Sequence, residues 1–375
     1  MPSRVALQWA AEPPHRRFCT GVSLHSHTLH SRESLDFIAR LARHIPVLAA
    51  ALHRGERQYE KKHSRPLDLT RAWWTPPLAP HDAFVLECDQ VRGLGMEALV
   101  SLTDHDDIEA PMALQLLQES RGTPVSTEWT VPFGPTFFHL GVHNLAPAEA
   151  RMFFREMESY RKQPDEELLR DILAELAARP RILIVFNHPL WDETGIGSER
   201  HLELARGFLR RYAAYLHAME LNGFRPWREN RNVLAFAAAA GKPLISGGDR
   251  HTTEPNALLN LTNAGSFSEF AEEVRAGWSE VLILRHYRQS YGLRVFHNLV
   301  DAVRTHERHA LGWKTWSDRT FYACDDGRVR SLTELFGANI PLPVRVFLKA
   351  VQFASAPQIQ WILNGALKPG EEVIL

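Results

Sequence analysis

Histidine is the residue of this sequence best suited to chemistry, and where the 19 histidines fall matters more than their number. His25 and His27 stand two apart at the end of an apolar run. On an extended strand such a pair faces one side, so two imidazoles can grip one metal ion. Five further clusters follow, each closing an apolar run. They are Thr103-Asp104-His105-Asp106, Glu128, His139-Leu140-Gly141, Asn187-His188-Pro189 and Gly247-Gly248-Asp249-Arg250-His251. Singly, each reads as an ordinary loop residue after a strand. In succession, they place His, Asp or Glu on the same end of six strands. In parallel α/β folds that end is the active-site face. Donors spread one per strand end are what a cluster of several ions requires, because no single helix or loop could surround them. Imidazole and carboxylate donors without cysteine suit Zn²⁺, Mn²⁺ or Fe²⁺. Asp104 precedes His105 on its strand and faces the other way, so it is expected to orient a ligand rather than bind the ion.

The elements that must position these residues alternate. Apolar runs predict strands at Phe18–Leu24, Ala98–Thr103, Pro124–Trp129, Thr136–Val142, Ile182–Phe186, Ala218–Leu221, Pro243–Ser246 and Val281–Leu284. Helical periodicity falls between many of them, including Ser34–Leu52, His81–Leu94, Ile108–Glu119 and Trp227–Ala240. The alternation predicts an α/β fold with a mainly parallel sheet, open or closed. Residues 53–80 break the rhythm. They are polar, basic (Arg54, Arg57, Lys61, Lys62, Arg65) and carry Trp73-Trp74, and they read as an inserted loop or small subdomain. Two roles suit them: a lid stacking on a substrate ring, or a packing patch for the residues after 290. Residues 291–375 read as an extension packed on the core, because Phe, Leu and Trp run throughout. The domain division expected is therefore 1–290 and 291–375.

Composition narrows the class. With 45% hydrophobic residues a large core is affordable, and 43 basic against 44 acidic residues give no bulk attraction for nucleic acid or anionic membrane. Three scattered cysteines form no disulfide framework, and no apolar run approaches the ~20 residues of a membrane span. A cytoplasmic enzyme is expected, with no protein partner readable. The sequence holds no GxxxxGK[ST], HExxH or GxSxG motif to compete with the metal reading.

Taken in order, HSHT with Ser31, TDHD, the strand ending in Glu128, HLG, HP and GGDRH resemble the motifs of the polymerase and histidinol phosphatase (PHP) family, from about Phe18 to His251. The resemblance implies a distorted seven-stranded β/α barrel with two or three divalent ions. By motif position it makes His25, His27, His105, Glu128, His139, His188, Asp249 and His251 ligands, with Glu128 bridging. There are departures. The family often has Asp and Gly, or a later His, after the serine of the first motif, whereas here the run is Ser31-Arg32-Glu33. Either Glu33 supplies an oxygen there or a third ion is absent, and a glutamate in a first helical turn is also common for dipole reasons.

Most characterised members of the family hydrolyse phosphate esters, so phosphomonoester or phosphodiester hydrolysis is the expected reaction. Two ions about 3.5–4 Å apart can activate water and polarise a phosphoryl oxygen. His188 or Asp249 is the expected proton-handling residue. Arg250 is the first candidate to meet substrate phosphate and Arg225 the next, ahead of Arg228 and Arg231. Arg250 has a second option, which is to point into the barrel wall and pair with a carboxylate there. The substrate expected is a small phosphorylated molecule, or else an oligonucleotide. Hydrolysis of C–N or C–O bonds at the same kind of site, or a silent binding module, are the other classes compatible with the motifs.

Overall fold

The computed structural model describes residues 4–10, 14–35, 46–64, 66, 68–337 and 349. In chain order its strands are β1 (Arg4–Leu7), β2 (Thr20–Ser26), β3 (Glu33–Ser34), β4 (Ala72–Trp74), β5 (Glu97–Leu102), β6 (Val125–Phe133), β7 (Thr136–Leu145), β8 (Leu183–Asn187), β9 (Ala218–Asn222), β10 (Leu244–Gly247), β11 (Leu258–Thr262), β12 (Glu280–Ile283), β13 (Thr320–Ala323) and β14 (Val329–Ser331). Each apolar run picked from the sequence is a strand. The short pieces β1, β3, β4, β11, β13 and β14 escaped that reading. No helix among the described residues is long and apolar enough to cross a membrane.

The fold is mixed α/β, with several sheets rather than one. Two five-stranded sheets run β1-β12-β11-β2-β5 and β10-β9-β8-β7-β6. Pairing is parallel for β2–β5, β8–β9, β9–β10 and β1–β12. It is antiparallel for β6–β7, β7–β8, β2–β11 and β11–β12. The expectation of a mainly parallel sheet is corrected here. Gly134-Pro135 joins β6 directly to β7, and Gly134, at φ +61°, takes the left-handed turn that closes the hairpin. With no crossover helix between them, these strands must run opposite ways.

A closed seven-stranded barrel ladder is not formed among the described residues. The two sheets meet at two seams, each marked by a single isolated parallel bridge: His105 with Glu128, and Ser26 with Arg250. Both bridges involve a motif residue just past a strand end, His105 after β5 and Arg250 after β10, where regular pairing has stopped. Around the sheets, helices such as Pro147–Lys162, Glu166–Ala177, Ser198–Tyr212 and Trp227–Ala239 bury one face each. The main core gathers Trp129, Phe138, Phe153, Phe186 and Phe208 beneath them.

The polar segment is more ordered than expected. A helix runs Pro46–His63, so residues 53–63 are helical rather than loop. The predicted helix Ser34–Leu52 is only partly assessable, since 36–45 lie outside the described residues. Beyond that helix, β4 enters a four-stranded sheet of order β14-β13-β4-β3, with Phe321 opposite Trp73 and Thr320 opposite Trp74. Trp74 is buried with Leu35, Trp316 and Tyr322, and Trp73 packs on Phe321 under the guanidinium of Arg32. The Trp pair thus joins the insertion to the C-terminal residues, as in the packing role, and the Trp74 ring also lies 6.4 Å from that of His251. The side chain of Lys62 lies outside what is described.

Candidate metal centre

Three candidate ligands sit where L-residues seldom do. His25, His188 and Asp249 have φ of +63°, +24° and +52°. Such conformations cost of order 1–3 kcal/mol and persist where surrounding contacts enforce them. His25 occupies a register shift of β2 between Leu24 and Ser26, so it is the bulged residue that opposes no partner in β5. His27 lies past the strand end, held through its N–H to Arg250 O (2.8 Å). The two imidazoles converge, with ring centroids 5.1 Å apart, but a bulge brings this about and not simple strand alternation.

The double glycine of the last motif has a steric cause. A Cβ on Gly247 would stand 1.7 Å from Glu220 Oε1 and 2.9 Å from His25 Cβ. A Cβ on Gly248 would meet Asn256 Oδ1 at 1.6 Å. Gly247→Ala is therefore expected to push Glu220 off His25 and lower metal affinity by about 10–100-fold, the scale of losing a ligand's supporting partner. A metal titration of the folded variant by calorimetry checks it, and wild-type affinity would refute it.

The nine residues nominated from the sequence meet in one place. Three overlapping groups each offer ligand atoms within 4.8 Å of one another: His27, Glu33, His105 and His251; His25, His27 and Glu128; and His105, Glu128 and His139. Glu128 is fully buried at the centre. Its Oε2 faces His25 Nε2 (2.9 Å), His105 Nδ1 (3.2 Å) and His27 Nε2 (3.4 Å). Its Oε1 faces His188 Nε2 (3.1 Å) and His139 Nδ1 (3.4 Å). Glu33 Oε2 lies 3.0 Å from His251 Nε2 and 3.6 Å from His105 Nε2. Asp249 Oδ1 lies 3.6–3.8 Å from His251, His27 and His25.

Whether this set fits an ion can be asked of its unpaired atoms. His25 Nε2, His27 Nε2 and Glu128 Oε2 are all buried without a hydrogen-bond partner. Leaving one such group unmatched costs about 1–3 kcal/mol. Three of them converge on one point, and together they are one of the three ligand groups. The donor set fits a divalent cation.

Charge states divide the site. Burial and then the charge of His251 bring His27 down to about 3. Burial likewise drives His139 well below its ordinary value. Burial opposes ionisation of Glu128, but His25, His105 and His139 outweigh it and hold its carboxyl well below the usual range. Asp249 is held down against burial by Arg225 first, then by His27. Neutral imidazoles and ionised carboxylates are the ligand forms. His25, His105 and His251 go the other way: against burial, Glu128 and Glu220 raise His25, Glu128 and Glu33 push His105 up to about 9, and Glu33 and Asp249 raise His251. The site's carboxylates thus favour positive charge at those three positions.

No family model matches the chain. No curated protein matches it either. Solved structures do. One is a provisionally assigned metal-dependent phosphoesterase from Bifidobacterium adolescentis, 15% identical, with a TM-score of 0.33, covering 53% of this chain and 92% of that one. Another is an amidohydrolase from Chromobacterium violaceum with bound sulfate and no metal, 16% identical, with a TM-score of 0.34, covering 61% of this chain and 87% of that one. At these values neither likeness carries an argument, and the function has to be read from the residues.

Glu33 illustrates how local structure decides a role. It lies on β3, paired with Trp74, and not in a helical turn, so its carboxylate is carried to His251 by the small sheet. Asp104 accepts the Thr28 N–H (2.5 Å) and hydroxyl (2.7 Å) and so fixes the turn after His27, as an orienting residue would.

Arg250 requires a correction. It is buried, with Nε 2.6 Å from Glu87 Oε1, Nη1 on Thr252 O and Nη2 on His27 O. It lies three residues past β10 and takes the second of its two options, pairing with a carboxylate in the wall. Arg225 is also buried: its Nη2 is 3.0 Å from Asp249 Oδ2, and the guanidinium lies 3.9 Å over Trp191. Arg228 and Arg231 are exposed.

Several supporting residues were not assigned these contacts from the sequence. Glu220 Oε1 binds His25 Nδ1 (2.5 Å), and its Oε2 accepts the His188 N–H (2.8 Å). Asn187 donates to Glu128 Oε1, and Ser31 lies between His27, Glu33 and the His105 N–H. Asn187 and Ser31 belong to the motifs and Glu220 lies near the end of β9, and that placement was the available signal. Glu193 also approaches His139, at 4.0 Å.

Proposed function

We propose that this chain is a metal-dependent phosphoesterase of the PHP type. In this reading it hydrolyses phosphate monoesters or diesters at two or three divalent ions, Zn²⁺, Mn²⁺ or Fe²⁺, held by the nine residues above. The observation that carries the proposal is Glu128. One of its oxygens faces three imidazoles and the other faces two, as a carboxylate shared between neighbouring ions would. Divalent ions at such a site supply an activated water near neutral pH and polarise a phosphoryl oxygen.

The chain's own residues divide the remaining work. Glu220 fixes the ring of His25 through Nδ1, leaving Nε2 to face the cluster. Arg225 offers positive charge at the edge, and its buried Nε has no hydrogen-bond partner. An anionic substrate supplies an acceptor there, whereas a neutral amide or lactone gives little use for a buried guanidinium. Asp249, kept ionised beside Arg225, is the proton acceptor in this scheme, and His188 is the alternative. The strands β2 and β5 to β10 are read as a distorted seven-stranded ring whose seams are the two isolated bridges. Residues 1–290 form that unit with 53–80 inserted, and 291–375 extend it. A cytoplasmic enzyme acting on a small phosphorylated substrate, or on an oligonucleotide end, belongs to the same reading.

The test is a substrate panel on protein reconstituted separately with Zn²⁺, Mn²⁺ and Fe²⁺. Phosphate release from one class of mononucleotide, sugar phosphate or short oligonucleotide, abolished by chelator, is the expected result. Cleavage of amides or lactones with no phosphate release from any class would replace the proposal with C–N or C–O hydrolysis.

A further inference from the structure

The helix Tyr291–Val303 stands outside the strand-end motifs, yet its polar face touches the loop after β9 and the loop after the last motif. Arg294, Asn298 and Asp301 recur at i, i+4 and i+7, which aligns them along one face. Arg294 reaches the loop after β9, where its guanidinium donates to Gly223 O and to Arg225 O (3.0 Å). The Arg225 carbonyl also accepts Tyr287 Oη–H (2.8 Å). Further along, Asn298 Oδ1 accepts the Thr252 hydroxyl (2.9 Å). Asp301 Oδ2 accepts both the Thr253 N–H (2.6 Å) and the Thr253 hydroxyl (2.7 Å). Thr252 and Thr253 directly follow His251, and Arg225 is paired with Asp249 across the two loops. Arg294 and Asp301 are both buried. Burying an arginine and an aspartate on one helix face is costly unless their contacts are made, so the arrangement resists drift of either loop.

We propose that this helix is a positioning element of the site, with Arg294 setting the place of Arg225 and Asp301 setting the place of Asp249 and His251. The inference rests on the reading of Arg225 as an anion-binding group and of Asp249 and His251 as ligands. It assigns the C-terminal part of the chain a role in the site beyond packing. The two contacts act on different ligands, so their losses should separate. Arg294→Ala should weaken binding of inorganic phosphate while leaving metal affinity near wild type. Asp301→Ala should weaken metal affinity. Asp301→Asn, which keeps an acceptor oxygen for Thr253, should restore it.

The experiment is calorimetric titration of the full chain, first with Mn²⁺ and then, for metal-loaded protein, with inorganic phosphate. Thermal melting of every variant runs alongside, with Arg294→Lys as a milder second variant. Losses of about tenfold or more in the matching constant, the lower end of what an orienting partner contributes, are expected. Val300→Ala, which trims the packing of the same helix, should lower Tm and move neither constant. If Arg294→Ala and Asp301→Ala lower only Tm, or shift both constants together as Val300→Ala also does, the helix is merely structural and the proposal falls. Wild-type protein that binds Mn²⁺ but not phosphate would overturn the role of Arg225 and the Arg294 arm with it. Wild-type protein that binds neither would overturn the metal reading itself.

Discussion

Glu128→Gln should release the metal and lower hydrolysis by more than about 100-fold, since losing a shared ligand exceeds the 10–100-fold cost of losing a ligand's partner. The substitution keeps the shape and removes the charge. Five imidazole nitrogens lie within 3.4 Å of the Glu128 oxygens, and among the described residues no other carboxylate touches all five rings. In wild type His25, His105 and His139, with a hydrogen bond from His188, hold the Glu128 carboxyl ionised against burial. A neutral amide cannot bridge cations, and its NH₂ would point a donor at groups that must themselves accept. Elemental analysis after reconstitution, together with circular dichroism to show that the fold survives, measures the effect. A folded Glu128→Gln protein with wild-type metal content would remove the central claim.

How far this centre was legible in the sequence depended on the kind of signal. The ligand residues announced themselves because each ends an apolar run, and strand ends can be read from local pattern alone. Glu33 was legible as a position and not as a structure. Its carboxylate reaches His251 because β3 pairs with β4, and that pairing depends on β13, about 290 residues away. A two-residue strand leaves no periodicity to detect. The antiparallel turn from β6 to β7 was written in Gly134-Pro135, while the alternation elsewhere suggested parallel pairing. His25 and His27 were paired correctly for an incomplete reason. The bulge at His25 arises from tertiary contacts: Glu220 on its ring, and Arg250 N–H and Gly248 N–H on the carbonyls of His25 and Leu24. The two options for Arg250 could not be separated by sequence, because its counter-ion, Glu87, lies on a helix of ordinary appearance 163 positions earlier.

Arg225 and Arg250 should respond to alanine in opposite ways, and the contrast tests the anion site more sharply than either alone. Arg225→Ala removes the cation beside Asp249 and opens its place over Trp191. Loss of one prearranged donor at a charged centre typically costs about 10²–10³-fold in turnover. That is the fall expected here, with weaker inhibition by phosphate and a smaller loss of metal, since Asp249 loses its partner but the three tight ligand groups do not include it. Arg225→Lys should recover part of it, because a point charge replaces the charge and not the fork. Arg250→Ala acts elsewhere. It takes the cation from the fully buried Glu87, whose Oε1 loses its contact at 2.6 Å and keeps the Ser26 hydroxyl, and it frees the carbonyls of His27 and Thr252. Breaking a buried pair from one side costs about 3–5 kcal/mol, so a large drop in Tm is expected. Turnover per bound metal in the surviving folded protein should stay near wild type. Melting curves, metal analysis and phosphate inhibition on both variants decide the matter. If Arg250→Ala kept its Tm and lost turnover, the arginine in the wall would be acting on substrate after all. If Arg225→Ala left phosphate inhibition unchanged, the anion would have to be bound by the ions alone.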